Sequence, residues 1–273
     1  MPINTLIQAF RLPEQALVTQ RIAKKLLVEQ GAPTAADKRL IGSVVDELWW
    51  HAALKPGTVG VPAFRASAVA GTIATNDTEP PTDVIELALV SVQLRSDVRE
   101  SQTQRLLQLI HRAIPYPVLL VAQTPDGAVL SLAHKRASLG AAGKWVLGDA
   151  AQTHPFNALA PTPAEAGFLA GLALDQLPRD ALMDLAALYQ AYANRVTALA
   201  VARVTGRFVA SENTLSASAQ REALEQRGHV QQELATVRGA ATKARQLNRR
   251  VDLNLRIQRL QGQLQQIERG LCT

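Results

Sequence analysis

The stretch YPVLLVAQTPDGAVLSLAH, residues 116–134, is the clearest indication of architecture in this chain. Two apolar runs, Tyr116–Gln123 and Ala128–His134, flank the triplet Pro125-Asp-Gly127. Because Pro, Asp and Gly each favour a tight turn, this arrangement is typical of a β-hairpin. The stretch therefore predicts two antiparallel strands joined by a short connection.

The segments on either side of this hairpin extend the predicted sheet. Val69–Ala74 and Val84–Leu94 are rich in β-forming residues, and Lys144–Leu147 has the composition of one more short strand. Between them, the apolar residues of Gln102–Ile114 share one face of a helix. Strands, one helix and further strands predict an α+β fold, in which a small mixed β-sheet is packed with helices on one face.

Two helices are predicted before the sheet. In residues 12–30, apolar side chains recur at helical spacing until Gly31-Ala-Pro33, which is a helix stop. Residues 37–54 show a similar spacing, and Lys55-Pro56-Gly57 ends it. We therefore expect two helices in this part of the chain.

A loop and a long helix are predicted after the sheet. Gln152–Gln176 contains several prolines, and we expect it to wrap around the body. Pro178 suits the first turn of a helix, and apolar residues then recur every three or four positions to about Val204, followed by Gly206.

The last part of the chain, from Ser216 to Leu271, is helix-forming, and its apolar residues follow two heptad phases. One phase contains Val230, Leu234, Val237, Ala241 and Ala244 and continues through Asn248 to Val251 and Leu255; the other contains Leu253, Ile257, Leu260, Leu264, Ile267 and Leu271. A single straight seam cannot serve both phases.

Two arrangements fit these phases: a coiled coil with a phase break near Val251, or a helical hairpin with Gly239 as the breaker. We favour the hairpin; a continuous helix would be about 80 Å long. The predicted organisation is an α+β globular domain over residues 1–210 and a basic helical coiled-coil or hairpin extension over residues 211–273.

Charge is concentrated in this extension. The 273-residue chain carries a formal net charge of +6. Ten basic and five acidic residues from Ser216 onward give +5, which leaves +1 for residues 1–215. Such asymmetry indicates a polyanionic partner, although a solvated helical surface has the same pattern.

The composition excludes several classes of protein. The single cysteine, Cys272, can form no internal disulfide and no Cys-rich zinc site. We see no secretory signal and no apolar stretch of membrane-spanning length, so we expect a cytoplasmic protein without membrane attachment. No two of the five histidines have metal-ligand spacing, and Gly140-Ala-Ala-Gly143-Lys144 lacks the glycine spacing of a phosphate-binding loop. No cofactor or metal site is predicted.

One weak catalytic pattern remains. Asp83 and Glu86 precede or begin a predicted strand that ends in Gln93-Leu94-Arg95. Magnesium-dependent nucleases of the restriction type use acids and a Gln or Lys in such positions. Because Arg95 stands where a lysine is needed and is a poor proton acceptor, Asp83, Glu86 and Gln93 define only an alternative hypothesis.

Seven segments, spread over most of the chain, together carry a family resemblance: Leu40–Leu54, Lys55-Pro56-Gly57-Thr58, Ile114-Pro115-Tyr116-Pro117-Val118, Ala133-His134-Lys135-Arg136, Trp145, Leu185–Tyr189 and Gln246–Asn254. In this order they resemble DUF4391, a bacterial and archaeal family of unknown function. Leu247 and His134 depart from the family pattern, which more often has an aromatic residue and a tyrosine there. The resemblance implies an uncharacterised protein whose relatives are often encoded beside helicases and DNA methyltransferases of restriction or phage-defence systems.

These observations predict a non-enzymatic accessory subunit of such a system. Its basic helical tail is expected to contact nucleic acid or a partner protein through Lys243, Arg245, Arg249, Arg250, Arg256 and Arg259. A magnesium-dependent nuclease and an oligomerisation module that assembles through the C-terminal helices are the alternatives.

Overall fold

The computed structural model describes residues 2–66, 83–137, 145–210, 214–244 and 246–272. A six-stranded mixed sheet lies at its centre. The strands are β1 (Leu17–Arg21), β2 (Val45–Leu54), β3 (Leu87–Leu94), β4 (Val118–Thr124), β5 (Gly127–Ala137) and β6 (Trp145–Gln152). The helices are α1 (Pro2–Gln8), α2 (Lys24–Gly31), α3 (Ala35–Val44), α4 (Pro56–Val59), α5 (Glu100–Ala113), α6 (Pro163–Gly171), α7 (Leu185–Thr205), α8 (Thr214–Lys243) and α9 (Leu247–Leu271).

The six strands lie side by side in chain order. Neighbouring strands are antiparallel except for β3 and β4, which are parallel and are connected through α5. The predicted hairpin is confirmed as β4 and β5, in which Thr124 pairs with Gly127. Gly127 has a φ of 137°, and a Cβ there would lie 2.6 Å from the carbonyl oxygen of Phe156, so only glycine fits this turn. The α+β class and the mixed sheet are therefore confirmed.

Helices cover both faces of the sheet, which corrects the expectation of a single covered face. On one face, Leu87, Leu89 and Val121 pack with residues of α1, α6 and α7. On the other, Ala88 and Val90 pack with residues of α2, α3 and α5. Because the central strands are buried on both faces, their side chains are apolar almost without interruption.

The prediction of one helix over residues 12–30 is wrong. A short 3-10 turn at Glu14–Ala16 leads into β1, and α2 begins only at Lys24. Leu17 and Val18 in β1 are 52% and 41% exposed, so the apolar pattern here is not a buried stripe. Pairing with β2 determines the conformation of this edge strand.

The prediction of one helix over residues 37–54 is wrong in its second half. Helix α3 ends at Val44, and β2 follows directly. Strand β2 lies between β1 and β3 and buries Leu48 and Leu54. Its buried residues do not alternate, because two irregularities in its register shift the pairing with β3.

The segment predicted as a wrapping loop and the start of the following helix also need correction. Gln152–Gln176 contains α6, which Thr162 caps by accepting from the backbone N–H of Glu165. The long helix begins at Leu185, after a 3-10 turn at Arg179–Leu182, and not at Pro178. Its predicted end is correct: Gly206, in the left-handed conformation, terminates α7.

The chain ends in a helical hairpin, as favoured from the two heptad phases. Helix α8 ends at Lys243 and α9 begins at Leu247. Gly239 lies inside α8, so its prediction as the helix breaker is wrong. The expected strand at Val69–Ala74 lies outside the described residues, and the boundary between residues 1–210 and 211–273 stays a prediction.

Candidate functional site: a basic hairpin tip and a junction of motif segments

A small apolar seam holds α8 and α9 together. Leu234 and Val237 of α8 are buried against Leu260 of α9, and Leu253 and Ile257 pack at the edge of this cluster. The first heptad phase thus supplies the seam of α8, and the second supplies that of α9. Val251 and Leu255, which continue the first phase into α9, are each 49% exposed.

Ion pairs neutralise the part of the hairpin away from its connection. Arg227 pairs with Glu268 at 2.9 Å, and Arg256 pairs with Glu233 at 2.5 Å. Both pairs join α8 to α9. Because these arginines already meet a carboxylate, they attract an external anion less than unpaired arginines do.

The connecting end of the hairpin carries positive charge that no acidic residue neutralises. We call residues 234–251 the hairpin tip. The tip contains five basic residues and no acidic residue: Arg238, Lys243, Arg245, Arg249 and Arg250. Four of them are exposed, and Arg245 lies outside the described residues. Within the described ranges, none of these four forms an ion pair.

The start of α9 adds to the positive potential of the tip. Its N-cap residue, Gln246, makes no side-chain hydrogen bond to the first turn. The first backbone N–H groups of a helix have no intrahelical acceptor, and the helix dipole is positive there. Arg249 and Arg250 lie in this turn, so side-chain and backbone donors are concentrated together.

The six predicted binding residues therefore fall into different environments. Lys243, Arg249 and Arg250 are exposed at the tip, and Arg245 lies outside the described residues. Arg256 is bound to Glu233. Arg259 lines a groove of about 510 Å³ with Asp252 and Leu255. Of the six predicted residues, the structure therefore places Lys243, Arg249 and Arg250 together on one exposed basic surface.

The residues of the nuclease alternative lie apart. Asp83 accepts from the backbone N–H of Ala66 and from Arg65, and these contacts hold its pKa below the usual range. Glu86 is buried and pairs with Lys55 at 3.2 Å. Gln93 lies near the far end of β3, roughly 23 Å from Glu86 at ~3.3 Å per residue. One metal ion cannot contact both ends of this strand.

Three of the segments that carry the family resemblance meet beside β5. Lys135 donates through Nζ to the carbonyl oxygens of Ile114 and Tyr116. Tyr189 accepts from the Ala133 N–H at 2.9 Å and donates to a carbonyl of Val118 or Ala133, each 3.1 Å away. The family resemblance identifies these segments in the sequence. Only the fold shows that Lys135 and Tyr189 connect them by hydrogen bonds.

Burial changes the ionisation of groups at this junction. It lowers the pKa of Lys135 to about 7. Burial, together with the nearby Lys135, lowers the pKa of His111 to about 3. The Nε2 atom of His111 lies 3.1 Å from the Ser131 hydroxyl. His134 is half-buried with its ring edge against Tyr189, 5.5 Å between centroids.

Metal-binding groups and membrane-spanning helices are both absent from the described residues. No group of three or more His, Cys, Asp or Glu side chains among them is arranged to hold a metal ion. None of the helices in the described ranges has the length and apolarity needed to cross a bilayer.

Comparison with known proteins gives one match. The family model DUF4391, a domain of unknown function, matches residues 10–264. No curated protein and no solved structure matches the chain.

Proposed function

The chain belongs to the DUF4391 family, and we propose that it is a non-enzymatic accessory subunit that binds nucleic acid through its hairpin tip. The observation that carries the proposal is the separation of charge along the hairpin. Its tip has five basic residues without an acid, whereas ion pairs join α8 to α9 farther along. A surface of this kind fits a phosphate backbone.

The donor groups at the tip support the same partner. The first turn of α9 presents Arg249 and Arg250 beside free backbone N–H groups, which are suitable phosphate donors. The contacts expected here position a nucleic acid and do not read its sequence.

The body would then serve as the docking part of a larger assembly. Relatives in the resembled family are often encoded beside helicases and DNA methyltransferases, so we propose such an enzyme as the protein partner, in the cytoplasm. The nearly neutral body, +1 over residues 1–215, carries little of the charge needed for nucleic acid. This division assigns nucleic-acid contact to the tail and protein contact to the α+β body.

Salt dependence tests the proposal. Fluorescence anisotropy of labelled duplex and single-stranded oligonucleotides is measured with the full chain at increasing salt. With five phosphate contacts, the logarithm of the association constant should fall against the logarithm of salt with a slope of about −4.5 for duplex DNA. The double variant Arg249→Gln, Arg250→Gln should make this slope shallower by about 2.

Arg256→Gln is the matched control, because it removes an arginine that already pairs with Glu233. Its salt slope should stay close to that of the unmodified protein. Absence of binding, binding that does not depend on salt, or an equal loss in the two variants would each count against the hairpin tip. Tight binding to an acidic protein helix instead would assign the tip to a protein partner.

A second candidate function, assembly through the C-terminal helices, is favoured by Val251 and Leu255, each 49% exposed on α9. A second copy would cover these residues in a self-complementary contact. Light scattering of the full chain should then report a dimer that Leu255→Glu converts to a monomer. A monomer at all concentrations removes this candidate without affecting nucleic-acid binding.

A further inference from the structure

A cavity of about 530 Å³ lies between α6 and α7 in the α+β body. Its walls are the last turn of α6, the 3-10 turns at Leu174–Gln176 and Arg179–Leu182, and one face of α7. Pockets that hold small ligands span about 300–1,000 Å³, so an organic molecule fits here. The described lining residues all precede α8, which separates this cavity from the hairpin tip along the chain.

Small side chains account for the space between the two helices. Five of the lining residues are alanines: Ala170, Ala181, Ala187, Ala191 and Ala210. Leu177 and Pro178 add further apolar surface. Because protein interiors are normally packed as densely as organic crystals, larger side chains at these positions would fill the space. The wall of the cavity therefore suits the apolar body of a ligand.

The most informative polar group in the wall is the amide of Asn194, a residue that is only 5% exposed. Its Oδ1 atom accepts from Nε2 of Gln190 at 2.7 Å, which fixes the plane of the amide. Its Nδ2 atom donates to no described residue and is not among the enclosed unpaired atoms, so it stays accessible. Since buried donors in native proteins are almost always hydrogen-bonded, this donor indicates an acceptor from outside the chain.

Arg195 places a positive charge in the same wall and is also 5% exposed. Its Nε atom donates to the carbonyl oxygen of Gly171 at 2.6 Å, and Nη1 donates to that of Ala191 at 3.1 Å. The first bond satisfies a carbonyl at the C-terminal end of α6, so Arg195 also supports the fold. Both bonds fix the guanidinium next to Asn194, and its charge favours an anionic acceptor.

Acidic residues in the lining restrict the charge of the ligand. Asp175 and Asp180 are exposed, and Asp175 lies 3.8 Å from Arg11. A phosphate group, with its charge of about −1.5 to −2, would be repelled by these carboxylates. A single carboxylate at the buried donors carries less charge, and solvent screens it from the exposed acids.

We propose that this cavity binds a small monocarboxylic acid with an apolar body. The carboxylate accepts from Nδ2 of Asn194 beside the charge of Arg195, and the body lies along the alanines of α7. Such a ligand makes the α+β body a sensor of a small acid, a role beyond the nucleic-acid contact proposed for the hairpin tip.

Titration calorimetry of the full chain with octanoate, phenylacetate and indole-3-acetate tests the proposal. Each acid is compared with its primary amide, which keeps the shape and removes the charge. At least one acid should bind. Its amide should bind at least about fivefold more weakly, because a charge-assisted hydrogen bond is roughly twice as strong as a neutral one.

Three variants locate the site. Asn194→Asp keeps the shape of the side chain but replaces the amide donor with an acceptor, so binding of the acid should be lost. Ala187→Leu fills part of the cavity without altering a polar group, and it should also abolish binding. Asn254→Asp makes the same chemical change at an exposed position of α9 and is the matched control, with unchanged affinity.

Circular dichroism checks that each variant is folded. Ala187 is half-buried and faces the open space, so Ala187→Leu keeps the test decisive if Asn194→Asp does not fold. No binding by any of the acids, equal binding of an acid and its amide, or binding that survives in Ala187→Leu would each overturn the proposal. None of these results bears on the hairpin tip, whose test uses different residues and a different ligand.

Discussion

At the scale of single residues, Lys135 links the segments that give the chain its family resemblance. Its ammonium group lies between the carbonyl oxygens of Ile114 and Tyr116, at the C-terminal end of α5. A cation there is favoured by the helix dipole and satisfies carbonyls that the helix leaves open. Burial acts against the charged form, because it favours the uncharged amine. The pKa of Lys135 is lowered by burial to about 7.

This pKa predicts how stability depends on pH. In the unfolded chain the pKa of Lys135 returns to about 10.5. Between pH 7 and 10.5 the unfolded chain holds a proton that the native protein has released, so stability rises with pH in this window and falls again as pH drops towards 7. The contribution is up to about 1.4 kcal/mol per pH unit.

Urea unfolding measured from pH 7 to pH 9.5 tests this expectation. Lys135→Met should remove the rise, and Lys38→Met, which removes an exposed lysine, is the matched control. Buried Tyr189 and Tyr192, whose pKa values are raised by burial, remain uncharged in the native protein over this range, and both variants retain them, so their contribution cancels from the comparison. An unchanged slope in Lys135→Met would contradict the assignment.

At the scale of elements, the sequence predicts best those parts whose conformation is determined locally. The β4–β5 hairpin follows from its turn residues, α5 from its amphipathic period, and α8 and α9 from their two apolar phases. Strands β1 and β2 could not be predicted this way. Their pairing is non-local, and β2 is buried without the alternation that marks a strand.

Candidate sites follow the same distinction. The hairpin tip is visible in the sequence because its basic residues are neighbours in the chain. The junction of the family segments is not, because Val118, Lys135 and Tyr189 are brought together only by the packing of β4, β5 and α7. Lys135 and His111 also show nothing unusual until burial and their neighbours are known.

Gly239 gives a prediction at the element scale. It lies within α8, and a Cβ added there meets no atom within 4 Å. Gly239→Ala should therefore stabilise the hairpin by up to ~1 kcal/mol, because alanine is the better helix former. Gly206→Ala is the control in which stability should fall, because the φ of 78° at Gly206 is strained for alanine. Thermal unfolding followed by circular dichroism measures both; a loss of helicity in Gly239→Ala would contradict a continuous α8.

At the scale of the whole molecule, the body and the hairpin have separate apolar cores. The two clusters on the faces of the sheet contain residues no later than Phe208. The cluster of the hairpin contains only residues of α8 and α9. The two parts nevertheless touch, because both α8 and α9 contact α7. Ala217 and Leu271, at the ends of the hairpin far from its tip, are buried.

This separation predicts the behaviour of a chain shortened to residues 1–210. Both cores of the sheet are retained, so the shortened chain should unfold cooperatively in urea. The loss in stability should be about 2 kcal/mol, the amount expected from losing the burial of a side chain such as Leu271. Its affinity for oligonucleotides should be lost with the five basic residues of the tip.

The full chain with Arg249→Gln and Arg250→Gln separates the two effects, because it weakens binding while every buried residue of the hairpin remains. If the shortened chain fails to fold, the body depends on the hairpin and the predicted boundary at residue 210 is wrong. If it folds and still binds oligonucleotides with the salt slope of the full chain, the nucleic-acid surface lies on the body. Retained folding with lost binding is the outcome expected from two cores that share no buried apolar residue.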